Sequence, residues 1–223
     1  HTRANRALPT IDYNLDWYRR KSWTKSDQEE FFAKLKKAKK HKRAQYLKIQ
    51  AIEFTETGKP KLLDAGEQLL NQLLTEYPED KIEKSSSLHT LGDIYKQRND
   101  FETALVYYKQ ALDFEKTWPN VKTNADLDFS DMVIKLGKNE HYDLVERLMI
   151  KRLEDSLFPI ERYLGNSFLA FIAKSRGDQE SFQKFRELAD ENATQEESGI
   201  RYHQDLGVVK KRDSWLDKLL KRK

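Results

Sequence analysis

From about residue 26 to residue 193, apolar side chains recur every three or four positions, and Gly, Pro or Arg-Asn-Asp breaks the recurrence at short intervals. That period is the signature of amphipathic helices. It predicts a first helix from Ser26, where Ser26 and Glu29 read as a capping box, with Phe31, Phe32, Leu35 and Ala38 on one face. It then predicts four helix pairs. The first runs from Arg43 to Thr57, ends at Gly58 and Pro60, and is partnered by a leucine-rich helix that stops at Tyr77-Pro78. The second is 85–97 with 101–115, the third 127–136 with 141–156, and the fourth 160–175 with 179–191. The start of the chain differs. Ile11, Tyr13, Leu15 and Trp17 alternate with polar residues, a period of two that predicts an extended arm over 1–25. The other end carries Trp215, Leu216, Leu219 and Leu220 at helical spacing, so 194–223 reads as a basic capping helix or tail.

Composition agrees with helix. Eight glycines and five prolines in 223 residues leave long uninterrupted stretches, and 11% aromatics with ten tyrosines argue against disorder. No apolar run approaches the roughly 20 residues that span a bilayer. The expectation is a soluble chain with no transmembrane segment, cytoplasmic before periplasmic or secreted. Cysteine is absent, which removes disulfides, thiolate nucleophiles and thiolate metal sites and fits either redox compartment.

The second pair gives the pattern a shape. In residues 88–111, LHTLGDIYKQRNDFETALVYYKQA, Leu91-Gly92 and Tyr95 are followed across a turn by Ala104, Tyr108 and Ala111. This resembles the tetratricopeptide repeat, with Leu88 where that family expects an aromatic. Weaker copies surround it: Leu47, Ala51, Phe54 and Gly58 with Ala65, Leu69 and Pro78; then Phe129, Val133, Leu136, Tyr142 and Met149; then Ala170, Ala173 and Gly177. The third has lost its small residues, and Phe182 stands in the fourth where a small one is expected. The resemblance covers 43–193. It implies an all-α fold, a right-handed α-α superhelix with amphipathic flanking helices, in which Gly92 and Ala104 let helices nest while Tyr95 and Tyr108 fill the wedge to the next pair. Single pairs cannot bury both faces, so stacking follows.

No catalytic constellation stands out. The five histidines are scattered, none paired at metal-ligand spacing, and there is no glycine-rich phosphate loop or nucleophile elbow. Asp126, Asp128 and Asp131 cluster near a helix start, where the dipole favours acidic groups. Asn192-Ala193-Thr194 is a sequon by pattern only. The expectation is a non-enzyme without cofactor or metal.

Charge is uneven. Residues 1–43 carry 13 basic and 5 acidic side chains, 44–195 carry 20 and 27, and 196–223 carry 8 and 5, so basic ends flank an acidic middle. The run KLKKAKKHKR contains Lys34, Lys36, Lys37, Lys39, Lys40, Lys42 and Arg43, and within a helix over 26–42 it forms a basic face. Two readings stand: a solvated face lying against the acidic middle, or a site for nucleic acid or an anionic surface, which the basic C-terminus joins. Aromatic interleaving for base stacking is missing inside the run.

The resemblance further implies a concave wall built from the first helix of each pair, here Lys48, His89, Asp93, Lys96, Ser130, Ser167, Phe171 and Lys174, holding a peptide or helix of a partner protein. Family members that clamp a C-terminal carboxylate use lysines, asparagines and an arginine. The corresponding positions here are Lys48, Ile52, Thr90, Leu127 and Asp131, so that clamp is not expected. Self-association, basic end to acidic middle, is the remaining alternative.

Overall fold

The computed structural model describes residues 16–220. Helix makes up 74% of it, and no strand occurs among the described residues, which makes the fold all-α. The described residues form ten α-helices: α1 Lys25–Lys37, α2 Lys40–Thr55, α3 Pro60–Glu76, α4 Lys81–Gln97, α5 Phe101–Thr117, α6 Ala125–Leu136, α7 Tyr142–Asp155, α8 Pro159–Ser175, α9 Gln179–Ala193 and α10 Ser214–Leu219. Short 3-10 turns at Pro119–Val121 and Asn139–His141 precede α6 and α7. None of these helices is long and apolar enough to cross a membrane. The described residues divide into two compact units between Asp100 and Phe101, inside the best-matched copy of the repeat pattern.

In the first unit, α3 packs on both α2 and α4, and α2 also packs on α4. Leu47, Ala51 and Phe54 of α2 meet the leucines of α3 in a core where Leu70 and Leu73 have no exposed surface. Gly66 of α3 is the point of closest approach. A Cβ there would lie 3.3 Å from the Ala51 carbonyl oxygen and 3.5 Å from Ile94 Cδ1, so hydrogen is the only side chain that leaves the neighbours undisturbed. The repeat pattern placed the small residues of this region at Ala51 and Ala65 and passed over Gly66. Tyr95 also joins α4 to α3. Its hydroxyl donates to Glu67 of α3, and Arg98 lies over its ring, so it binds back to the preceding helix.

Helix ends follow local chemistry. Gly58 (φ 64°) turns the chain between α2 and α3, and Pro60 opens α3 where its missing N–H costs nothing. Asn99 adopts φ 62° after α4, the role glycine plays elsewhere. Asp80 caps α4 through the Ile82 and Glu83 amides, and Asp178 caps α9 through Ser181. The capping box of α1 is real but sits two residues earlier than the sequence suggests. Thr24 accepts from the Asp27 amide, and Asp27 accepts from the Thr24 amide. The helix expected over 26–42 is two helices. Ala38 and Lys39 take extended conformations, so the basic run wraps the α1–α2 corner and does not form one face.

In the second unit, α8 and α9 form the most extensive helix pair. α8 also packs on α7 and α6, and α5 packs on α6. Gly165 of α8 lies against Leu153 of α7, where an added Cβ would meet Leu153 Cδ2 at 3.3 Å. Tyr163, Phe168 and Ala170 of α8 and Phe129 of α6 are buried. Gly92 in the first unit and Ala104 in the second are buried as well.

Candidate functional site

Packing α2 beside α4 on the common support of α3 leaves a cleft of about 480 Å³ between them. Ile52, Thr55 and Glu56 form one wall; Ser86, His89, Thr90, Asp93, Lys96 and Gln97 form the other. Three of the residues expected on a partner-binding wall therefore share one surface. His89, Asp93 and Lys96 fall at i, i+4 and i+7 on α4, and His89 Nε2 stands 4.0 Å from Asp93 Oδ1. Its lining residues are polar apart from Ile52, yet most of the exposed lining surface is apolar, contributed by their carbon atoms. It offers hydrogen-bond donors and acceptors on rigid helices.

Lys48 lies differently. Its ammonium reaches 2.5 Å from Glu83 Oε2, joining α2 to the first turn of α4, and the Glu83 carboxylate is buried. The contact is an ion pair whose angles do not make a hydrogen bond. Lys48 thus holds the two walls together and is not on offer to a partner.

The other four expected wall residues are in the second unit, and two need correction. Ser130 and Ser167 have no exposed surface, and the Ser130 hydroxyl donates to the Asp126 carbonyl of its own helix. Repeat spacing put them on the wall, but neighbouring helices cover that face of α6 and α8. Phe171 is partly buried, edge-on to Tyr142 at 6.0 Å, and packs on the cluster of Ala170, Ala173, Phe182 and Leu220. Lys174 donates to the carbonyl of Leu219, so it is engaged by the chain's own α10.

The basic corner is more open than expected. Lys34 pairs with Glu30 at 2.8 Å, and the Arg43 guanidinium caps the end of α1 through the Lys36 and Ala38 carbonyls. Lys42 reaches only the Gln45 amide. Lys36, Lys37, Lys39 and Lys40 are exposed, and no carboxylate among the described residues pairs with them. α2 also begins without a side-chain cap and without an acidic residue in its first turn, so its lysines oppose the helix dipole.

Two arrangements escaped the sequence reading. Residues 17–23 lie along α1 and α2. The Gln50 side chain, fully buried, accepts from the Arg20 amide and donates to the Arg20 carbonyl, both at 2.9 Å. Trp17 packs on Phe31 and Tyr46, and Trp23 on Phe31 and Phe54. Glu53 receives Arg19 at 2.6 Å and also Lys21. Burial pushes the Glu53 carboxyl up, yet the hydrogen bonds from Lys21 and Arg19 outweigh it and hold it below the usual carboxylate range. Of the alternating residues in the expected arm, Ile11, Tyr13 and Leu15 lie outside the described residues; Trp17 is anchored in a short turn that leads into a stretch without regular secondary structure.

The second is a pocket of about 170 Å³ in the second unit, lined by Leu112, Glu115, Lys116, Pro119, Lys122, Asp126, Leu148, Lys151 and Asp155. Burial raises the Asp126 carboxyl, against the opposing pull of Arg152, whose guanidinium stands 3.2 Å away. Glu115 accepts from the Thr123 amide and hydroxyl. Arg152 of α7 thus joins the start of α6 through Asp126 and Asn124, while the like charge of Glu115 pushes Asp126 further up. Of the remaining acidic cluster, Asp131 pairs with Lys135 at 2.7 Å. The sequon asparagine is spent too: Asn192 is buried, and its amide donates to the Leu188 carbonyl.

Comparison with family models, with curated proteins and with solved structures finds no match to this chain.

Proposed function

We propose that the chain is a non-catalytic interaction module of the tetratricopeptide kind, and that the α2–α4 cleft holds a peptide or helix of a partner protein. The carrying observation is that His89, Asp93 and Lys96 line one preformed surface together with Ile52 and Thr55. A wall of rigid helices lowers the ordering cost of binding, because the partner alone has to be fixed. The right-handed superhelical stacking of the helix pairs belongs to the same proposal. A small-angle scattering profile of a curved rod supports it, and that of a sphere opposes it.

The test is affinity capture with the purified chain beside a His89→Ala/Asp93→Ala/Lys96→Ala variant of unchanged helicity. Partners retained by the first and lost by the second are the expected result. Identical capture by both, or turnover of a small molecule by the pure protein, overturns the reading.

A second reading has its own observation, the exposed Lys36, Lys37, Lys39 and Lys40 at the α1–α2 corner. These suit the phosphates of a nucleic acid. If all four neutralise phosphates, the logarithm of the binding constant falls with the logarithm of salt at a slope of about −3.6. Replacing them with glutamine then removes the gel shift; an unchanged shift removes this reading.

A further inference from the structure

The face that repeat spacing assigns to a partner in the second unit is already filled, and the chain itself fills it. α10 lies along α8. Leu220 packs among Ala170, Ala173 and Phe182, and Leu216 is fully buried. Trp215 reaches α6, where the Lys135 ammonium stands 4.6 Å over its ring. Two polar contacts read the backbone of α10 at its ends. The Tyr163 hydroxyl accepts from the Asp213 amide, and Lys174 donates to the Leu219 carbonyl. Arg212, just before the helix, pairs with Asp190 of α9.

We propose that this face of α8, α9 and the end of α6 is a helix-docking site that α10 occupies in cis. Its partner is a short amphipathic helix with the same Trp-Leu-x-x-Leu-Leu pattern and a basic residue ahead of it. The backbone contacts fix the length and position of the guest without regard to sequence. The alanines of α8 leave room for its leucines, Lys135 meets its aromatic, and Asp190 takes its leading cation.

The occupant is built to leave. A helix of six residues is well below the length that persists alone in water, so α10 exists only while docked. Residues 195–213, which connect it to α9, contain no helix or strand, and the Gly207 carbonyl accepts from the Ile160 amide of α8, so the segment free to swing with α10 is 208–213. Docking in cis lowers the apparent affinity for a partner by the fraction of molecules in which the face is free. This site lies wholly in the second unit and does not depend on the α2–α4 cleft.

The probe is a labelled peptide of residues 210–220, titrated into the full chain. A Trp215→Ala/Leu216→Ala/Leu220→Ala chain, with α10 weakened and the face intact, is expected to bind it at least about 10-fold more tightly than the wild type. Adding Tyr163→Phe to that variant lowers the affinity again. Equal binding by the triple variant and the wild type overturns the proposal.

Amide exchange on the unaltered chain avoids any folding defect in the variants. Excess peptide is expected to speed exchange over 214–220 while α8 stays protected; unchanged exchange counts against it. A wild-type dimer that swaps α10 between copies also overturns it, because the face then serves a second copy.

Discussion

The two ends of the described chain are held by opposite means. Residues 17–23 are tied through a buried amide that reads the Arg20 peptide, a buried carboxylate shared by two cations, and two tryptophans set among Phe31, Tyr46 and Phe54. α10 is tied by two buried leucines, by Trp215 under Lys135, by the Arg212–Asp190 pair just before it, and by single polar contacts at its ends. The first arrangement leaves costly groups behind if broken: Gln50 and Glu53 are buried and need their partners. The second leaves an alanine-lined face and little unsatisfied polarity. The segment at the start is therefore part of its unit's core, whereas α10 is a guest on its unit.

The largest break in that comparison is Phe54→Ala. Phe54 has no exposed surface and carries Trp23 at a centroid distance of 4.9 Å, so the change is expected to cost about 3–5 kcal/mol in urea unfolding. Gln50→Ala comes next, at about 1–3 kcal/mol, because the Arg20 amide and carbonyl both lose their partner. Leu216→Ala is expected to cost no more than about 2 kcal/mol, the low end for a buried leucine, since α10 undocks where a core residue would hold a cavity open. A global loss as large as that of Phe54→Ala would make α10 core and erase the contrast.

The smallest effect is pH dependence. The Glu53 carboxyl is held below its unfolded value of about 4.3, so its contribution is complete above that pH and is lost as pH falls through the lower folded value. Unfolding midpoints followed from pH 6 down to pH 3 are expected to fall further for the wild type than for Glu53→Gln. Matching curves would show that Arg19 and Lys21 do not secure the segment.

Much of the helix plan was legible because it depends on local chemistry. Gly58-Lys59-Pro60, Tyr77-Pro78 and Gly177-Asp178 end or begin helices wherever they occur, and the structure places breaks at each. The capping box was read two residues late because Ser26-Glu29 and Thr24-Asp27 both satisfy the pattern, and only the preceding backbone chooses between them. The corner at Ala38-Lys39 carries no glycine or proline to announce it. On the candidate wall, spacing brought His89, Asp93 and Lys96 together because they share one helix face. It failed for Ser130 and Ser167 because exposure is set by which helix lies opposite.

The sequence by itself determined the helical fold of residues 26–193, most of its breaks, the uneven charge and the apolar stripe of α10. Tertiary structure alone decided that Gln50 grips Arg20, that Gly66 meets Ala51, that Lys48 is spent on Glu83, and that α10 covers the α8 face. Periodicity and capping arise between residues a few positions apart, which any reader of the chain can count. Pairings across 15 to 50 positions depend on how whole helices pack, and no local pattern encodes them.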